Sequence, residues 1–159
     1  MGPQRIDYYD SPEAPRPNSF VPSVNVVVVN GAGEILLIRR TDNSNWAVPG
    51  GAIDLGESVA QAAVRETREE SGIECAIIGI VGIYSDPKHV IVYTSNGEAR
   101  QEFSIVLTAR PVGGQPTPSR ESSEVRWVPE AELPSYKMDL SMRIRINDFL
   151  TRNESPVIT

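Results

Sequence analysis

Glu66, Glu69 and Glu70 stand at i, i+3 and i+4 in the run Arg65-Glu66-Thr67-Arg68-Glu69-Glu70. On a helix this spacing brings the three carboxylates to one side. Like charges so placed repel, so helix formation alone gives no reason for them. A cation bound between them converts the repulsion into affinity. Hard dications such as Mg²⁺ and Mn²⁺ take carboxylate, carbonyl and water oxygens. A glycine pair, Gly50-Gly51, precedes the run, and Glu57 lies between the two features.

From Gly51 the chain reads five residues to Glu57, then seven to Arg65-Glu66, Thr67, one residue, Glu69-Glu70, one residue, and Gly72-Ile73. This stretch resembles the Nudix box, the signature of the Nudix (MutT-like) hydrolases, which cleave a nucleoside diphosphate linked to another group. A solvated acidic helix would explain the glutamates alone, but not the glycines, Glu57 and Arg65 at these offsets. Thr67 takes a position where the pattern has an aliphatic. It is β-branched but carries a hydroxyl, so the departure touches packing rather than chemistry.

The resemblance implies Glu66, Glu69 and Glu70 as metal ligands, joined by a backbone carbonyl at Gly50 or Gly51, with Mg²⁺ or Mn²⁺ as cofactor. Glycine there permits turn geometry that a side chain would obstruct. Glu66 is the first choice for the base that activates water, with Glu102, Glu121 and Glu124 in reserve. Glu57 and Arg65 complete the catalytic set: an Arg–carboxylate pair is planar and directional and would hold the loop against the helix. The alternative for Arg65 is direct contact with phosphate.

Candidate substrate contacts are Arg39, Trp46 and Glu102. Trp46 either stacks a base or sugar or serves as a core aromatic. Arg39 and Arg40 either reach phosphates or form a solvated strand end. His89 is the one histidine, so a Ser-His-Asp or Cys-His enzyme is a poor reading. Cys75 follows the helix in an apolar stretch and reads as core.

The elements that must position these residues follow from pattern. Val24 to Val29 reads as a strand buried on both faces. Asn30-Gly31-Ala32-Gly33 and a strand from Glu34 to Arg40 suggest a hairpin with it. The box helix should run from about Ser58 to Ser71 and stop at Gly72. A strand over 74–84 and a hairpin of His89–Thr94 with Gln101–Arg110 come next. In that second strand Phe103, Ile105 and Leu107 face one way and Glu102, Ser104 and Val106 the other. A loop over 113–123, a short strand from Glu124 to Val128 and a helix from Asp139 to Thr151 complete the list. Leu140, Ile144, Phe149 and Leu150 are that helix's expected core contacts. The order implies an α/β fold with a mixed β-sheet and a helix on either side, in agreement with the α/β/α sandwich that the resemblance implies.

The chain of 159 residues fits one domain. We assign an extended proline-rich arm to 1–22, a single Nudix domain to 23–153 and a C-terminal tail to 154–159. A net charge of −6 argues against a nucleic-acid or membrane-surface binder. It leaves room for a small nucleotide substrate, because a bound metal supplies local positive charge. The single cysteine suits a reducing cytoplasm, and the N-terminus lacks the order of a signal peptide. The arm is expected to pack across a second subunit in a homodimer. The expected function is Mg²⁺-dependent cleavage of the diphosphate in a nucleotide sugar such as ADP-ribose or in a nucleoside triphosphate. The alternative is a non-catalytic Nudix-fold domain that senses or binds such a ligand.

Overall fold

The structure, a computed structural model, describes residues 4–151 and 155–159. The boundary placed at 153/154 and the first three residues of the arm lie outside the described residues. The strands are β1 (Arg5–Tyr9), β2 (Ser19–Val28), β3 (Ile35–Arg40), β4 (Trp46–Ala47), β5 (Gly50–Ala52), β6 (Ile73–Tyr84), β7 (His89–Tyr93), β8 (Glu98–Gly114), β9 (Ser122–Val128) and β10 (Val157–Ile158). The helices are α1 (Val59–Ser71) and α2 (Leu140–Thr151), and a 3₁₀ turn covers Glu130–Ser135. None of the described helices is long and apolar enough to cross a membrane.

Two sheets form. The larger runs β1-β7-β8-β2-β5, with β6 on β8 and β10 on β6, and it is mixed: β2 lies parallel to β8, while β7, β6 and β5 pair antiparallel. The smaller is β4-β3-β9. Strand β2 carries the logic of the layers. Val24, Val26 and Val28 meet Ala62 and Ala63 of α1, and Leu36 of the small sheet joins them. Val27 belongs to a second cluster with Val106, Ile35, Leu37 and Met142 and Ile146 of α2. Both faces of β2 are thus covered, as its valine run requires, and the molecule is an α/β/α sandwich.

Two expectations change. Strands β2 and β3 do not pair as a hairpin; they share one bridge, Val29 to Ile35, and β3 pairs with β4 and β9 instead. The reason is occupancy: β8 and β5 already take both edges of β2. Helix α2 buries Ser141, Met142, Arg145 and Ile146, and leaves Leu140 58% and Leu150 36% exposed. The inner face is mixed: Met142 and Ile146 join the core, against which Phe149 also packs, while Ser141 and Arg145 line a polar cavity. The arm docks on its own chain. Arg5–Tyr9 pairs along its length with β7 as an edge strand, and β2 begins at Ser19, inside the span assigned to the arm. Val157 and Ile158 of the tail likewise pair with Gly82 and Ile83.

Helix α1 is closed at both ends by local chemistry. Ser58 accepts from the Gln61 amide at 3.1 Å, and the Gln61 side chain accepts from the Ser58 amide at 2.8 Å, a reciprocal capping box. Gly72 ends the helix at φ 76°, a left-handed conformation that glycine adopts without strain. Ser58→Ala should cost about 1 kcal/mol. A thermal melt should show Tm falling by roughly 2–4 °C with turnover unchanged. An unchanged Tm would show that the cap adds nothing to the packing.

Candidate active site

The inward stripe of α1 consists of Ala62, Ala63, Glu66, Thr67, Glu70 and Ser71. Successive helical residues stand about 100° apart, so Glu66 and Glu70 differ by about 40° while Glu69 lies about 60° beyond Glu66 on the other flank. Glu66 and Glu70 are accordingly buried, at 9% and 2% exposure. Thr67 is fully buried in the same stripe, and its hydroxyl donates to the Ala63 carbonyl at 2.8 Å, which satisfies the polar atom that departs from the Nudix pattern.

Glu66 and Glu70 meet Glu121 from the loop before β9, with one carboxylate oxygen of each within 4.8 Å of the others. Glu121 is held from both sides. The Thr41 amide donates to its carbonyl at 3.1 Å, and the Ser119 and Ser122 hydroxyls lie 2.8 Å apart beside it. The Ser122 hydroxyl also donates to the Glu70 carbonyl, tying the loop to α1. Glu69 lies outside this cluster: its side chain is 55% exposed and pairs with Arg65 at 3.1 Å. Glu121, a reserve base in the sequence analysis, is therefore the third member, brought in from 51 residues beyond Glu70 by chain folding that no local spacing announces.

The glycine loop makes the cluster accessible. A Cβ built on Gly51 would lie 2.5 Å from the Glu66 carboxyl; only glycine lets that side chain pass beside β5. The Gly50 amide donates to Glu70 Oε1 at 2.9 Å. Arg65 binds the opposite flank. It donates to both oxygens of Glu57, at 2.6 and 2.8 Å, to Glu66 at 2.9 Å, to Glu69 at 3.1 Å and to the Ala52 carbonyl at 3.2 Å. One planar guanidinium thus joins loop, strand and helix. Its hydrogen bonds hold the Glu57 carboxyl down at about 2. Burial acts the other way on the cluster. It raises Glu66, and it pushes Glu70 up to about 8 against the partial relief of Arg40 and the Gly50 amide.

Gly50, Gly51, Glu66 and Glu121 line a cavity of about 480 Å³, and Glu121 also joins Glu69 and Glu70 in lining a second hollow of about 230 Å³. Of the candidate substrate residues, Glu102 lines it, buried at 6% exposure, with the Ser23 hydroxyl donating to it at 2.6 Å. Arg39 does not line it; it pairs with Glu124 at 3.0 Å. Trp46 lies in the core with its ring edge-on to Tyr136, centroids 4.9 Å apart, and lines a separate hollow beside Arg126. Arg40 faces the cavity but is held bidentate by Asp42 at 2.9 and 2.7 Å. Residues that the sequence reading passed over complete the wall: Asn25, Arg5 and Asp7 from the arm, and Ser141 and Arg145 from α2. Asn25 alone left a trace in the sequence, as the polar break in Val24–Val29.

Two outcomes follow from these charges. The Glu70 carboxyl has a folded pKa near 8 against an ordinary value of 4.5. The folded state therefore holds its proton longer than the unfolded chain, and this contribution to stability, complete below pH 4.5, is lost as pH rises through 8. Melts of chelator-treated protein should show wild type losing ground to Glu70→Gln across that window; parallel curves would refute it. Arg65→Ala should lower Tm by roughly 2–4 °C and turnover by about 10- to 100-fold, since it frees the loop and unpairs Glu57 and the buried Glu66. An unchanged Tm with lost substrate affinity would assign Arg65 to phosphate instead.

A model of the NUDIX domain matches residues 19–149. The chain is 34% identical over 125 residues to a putative 8-oxo-dGTP diphosphatase of Bacillus subtilis (strain 168), covering 78% of this chain and 76% of that protein. It is 31% identical over 141 residues to an RNA pyrophosphohydrolase of Novosphingobium aromaticivorans, covering 79% and 87%. Among solved structures, a MutT protein from Methanosarcina mazei Go1 superposes with a TM-score of 0.68 at 26% identity, covering 86% of this chain and 97% of that one. With the box in place, its carboxylates gathered at a cavity and relatives of this kind, the chain belongs to the NUDIX family and is a Nudix pyrophosphohydrolase.

Proposed function

We propose that the protein hydrolyses the diphosphate of a small nucleoside diphosphate derivative, with Mg²⁺ or Mn²⁺ held at the carboxylate cluster. The observation that carries this reading is the convergence of Glu66, Glu70 and Glu121 within 4.8 Å, with Glu66 and Glu121 lining the cavity. The donor set suits a hard dication, being all oxygen. Two of its members are buried, and burial raises both; that is the condition of carboxylates placed to share a positive charge. The Gly51 carbonyl and Glu69 are our further candidates for the donor set. Bound there, the ion would neutralise phosphate oxygens and lower the pKa of a water.

The chain's own residues do the rest. Arg65 holds Glu57, Glu66 and the loop in one arrangement. The Gly50 amide orients Glu70. Glu121 is exposed at the cavity, and no hydrogen bond to its carboxylate forms among the described residues. We therefore assign to it the proton of the attacking water, in place of Glu66, whose Oε1 is taken by Arg65. A domain that binds without turnover has no observation in its favour, since the carboxylate cluster is intact.

The bond cut should be a P–O bond within the diphosphate. A nucleoside triphosphate would yield the monophosphate and pyrophosphate, and ADP-ribose would yield AMP and ribose 5-phosphate. Hydrolysis in ¹⁸O-labelled water should place the label on phosphorus; label on a sugar carbon, or free nucleobase, overturns the mechanism. Glu66→Gln, Glu70→Gln and Glu121→Gln should each cut kcat by about 10² or more, with the fold intact by circular dichroism. Wild-type turnover in all three would remove the cluster from the chemistry.

A further inference from the structure

Strand β9 is irregular where it meets the carboxylate cluster. Val125 and Trp127 pack on the layer that holds Ala62 and Ala63 of α1, while Glu124 and Arg126 pair with each other on the opposite side. Strict alternation would turn Ser123 toward α1 and Ser122 away from it. A bulge intervenes. Arg39 pairs with Glu124 and Arg40 with Ser122, so Ser123 is the extra residue. A bulge re-aims the side chains that follow it. Here it turns Ser122 inward, where it is fully buried, and leaves Ser123 exposed.

The inward hydroxyl answers a need of the helix. Helix α1 ends at Ser71, and the Gly72 amide takes the Arg68 carbonyl. The carbonyls after it have no donor inside the helix. The Ser122 hydroxyl donates to the carbonyl of Glu70, and the Thr117 amide donates to that of Ser71 at 2.8 Å. A hydroxyl has one proton to give, so Ser122 Oγ is the acceptor for the Ser119 hydroxyl at 2.8 Å. Ser119 Oγ in turn accepts from the Glu121 and Ser122 amides, each at 3.2 Å. On the far side the Thr41 amide donates to the Glu121 carbonyl at 3.1 Å, and the Thr41 hydroxyl donates to the Arg120 carbonyl at 3.0 Å.

These bonds hold the loop by its backbone and hydroxyls, and the Glu121 carboxylate lies with those of Glu66 and Glu70. The Glu70 carboxylate is oriented separately, by the Gly50 amide. One buried hydroxyl, next in sequence to Glu121 and bonded to the backbone of Glu70, therefore joins the two segments that carry the opposing acids. When ionised these acids repel, and the tie opposes the drift of the loop away from α1.

We propose that Ser122 is a positioning residue of the active site, whose hydroxyl holds Glu121 close enough to Glu66 and Glu70 for one dication to bridge them. The inference rests on the reading of the cluster as a dication site and names the residue that sets its spacing.

Calorimetric titration of the full chain with Mn²⁺, without substrate, tests it. Ser122→Ala should weaken Mn²⁺ binding about tenfold or more, with the fold intact by circular dichroism. In a Glu121→Gln background the same change should have little further effect, because the tie then holds no ligand carboxylate. Loss by the same factor in both backgrounds would mark a loosened helix end and overturn the proposal. Wild-type affinity in a folded Ser122→Ala chain overturns it as well. Should Ser122→Ala fail to fold, Ser119→Ala, at a partly exposed position, carries the same comparison and should show the same dependence on Glu121. Glu70→Gln separates the two readings. If it leaves Mn²⁺ affinity unchanged, the cluster is not the metal site and the positioning role falls with it. If it weakens Mn²⁺ binding while Ser122→Ala does not, the dication reading stands and the positioning role alone falls.

Discussion

Two carboxylates, Glu66 and Glu70, are buried on the inner face of α1, and their surroundings are built around that constraint. Burial of ionisable acids without partners is unfavourable, and here burial raises both groups. The Gly50 amide, the Arg65 guanidinium and the absence of a side chain at Gly51 each lower that cost or make room for it. A dication between them would favour the charged form that burial opposes. The same feature that weakens the isolated fold would therefore favour binding of such an ion.

The large sheet separates two kinds of chemistry by the alternation of its strands. On β2, Val24, Val26 and Val28 face α1 and form a dry layer. Ser23 and Asn25 face the opposite side and meet Glu102, Ser104 and Arg145. On β8 the same alternation turns the polar residues to the more deeply buried face, Glu102 at 6% and Ser104 at 0% exposure. Hydrogen bonds across the strands make that polar face tolerable, and Ser141 and Arg145 of α2 complete it. The edge strand β1 adds Asp7 to the same network, so the N-terminal arm is part of the cavity wall.

Much of this was legible in the sequence. The i, i+3, i+4 glutamates, the glycine pair and Glu57 with Arg65 are local in the chain, and local spacing on a helix fixes which side chains share a face. The limits of α1 were readable for the same reason, because Ser58 and Gly72 act on neighbouring backbone groups. The α/β class followed from the order of valine-rich strands and the box helix. What local spacing could not rank was Glu69 against its neighbours. Its distance from Glu66 in sequence is shorter than that of Glu70, yet the rotation of the helix turns it to solvent.

Tertiary structure alone decided the rest. Glu121 enters the cluster through a loop 51 residues beyond Glu70. Arg145 enters the cavity because it shares the inner face of α2 with Met142 and Ile146, which the core takes. Strand β3 leaves β2 because β8 and β5 already hold both edges of it. Trp46 goes to the core and Arg39 to Glu124, although both stand close in sequence to the glycine loop. In each case the deciding partner lies far along the chain. Side-chain type and spacing report only what a residue can do on its own element; which partner it meets depends on how distant strands and helices share their edges and faces.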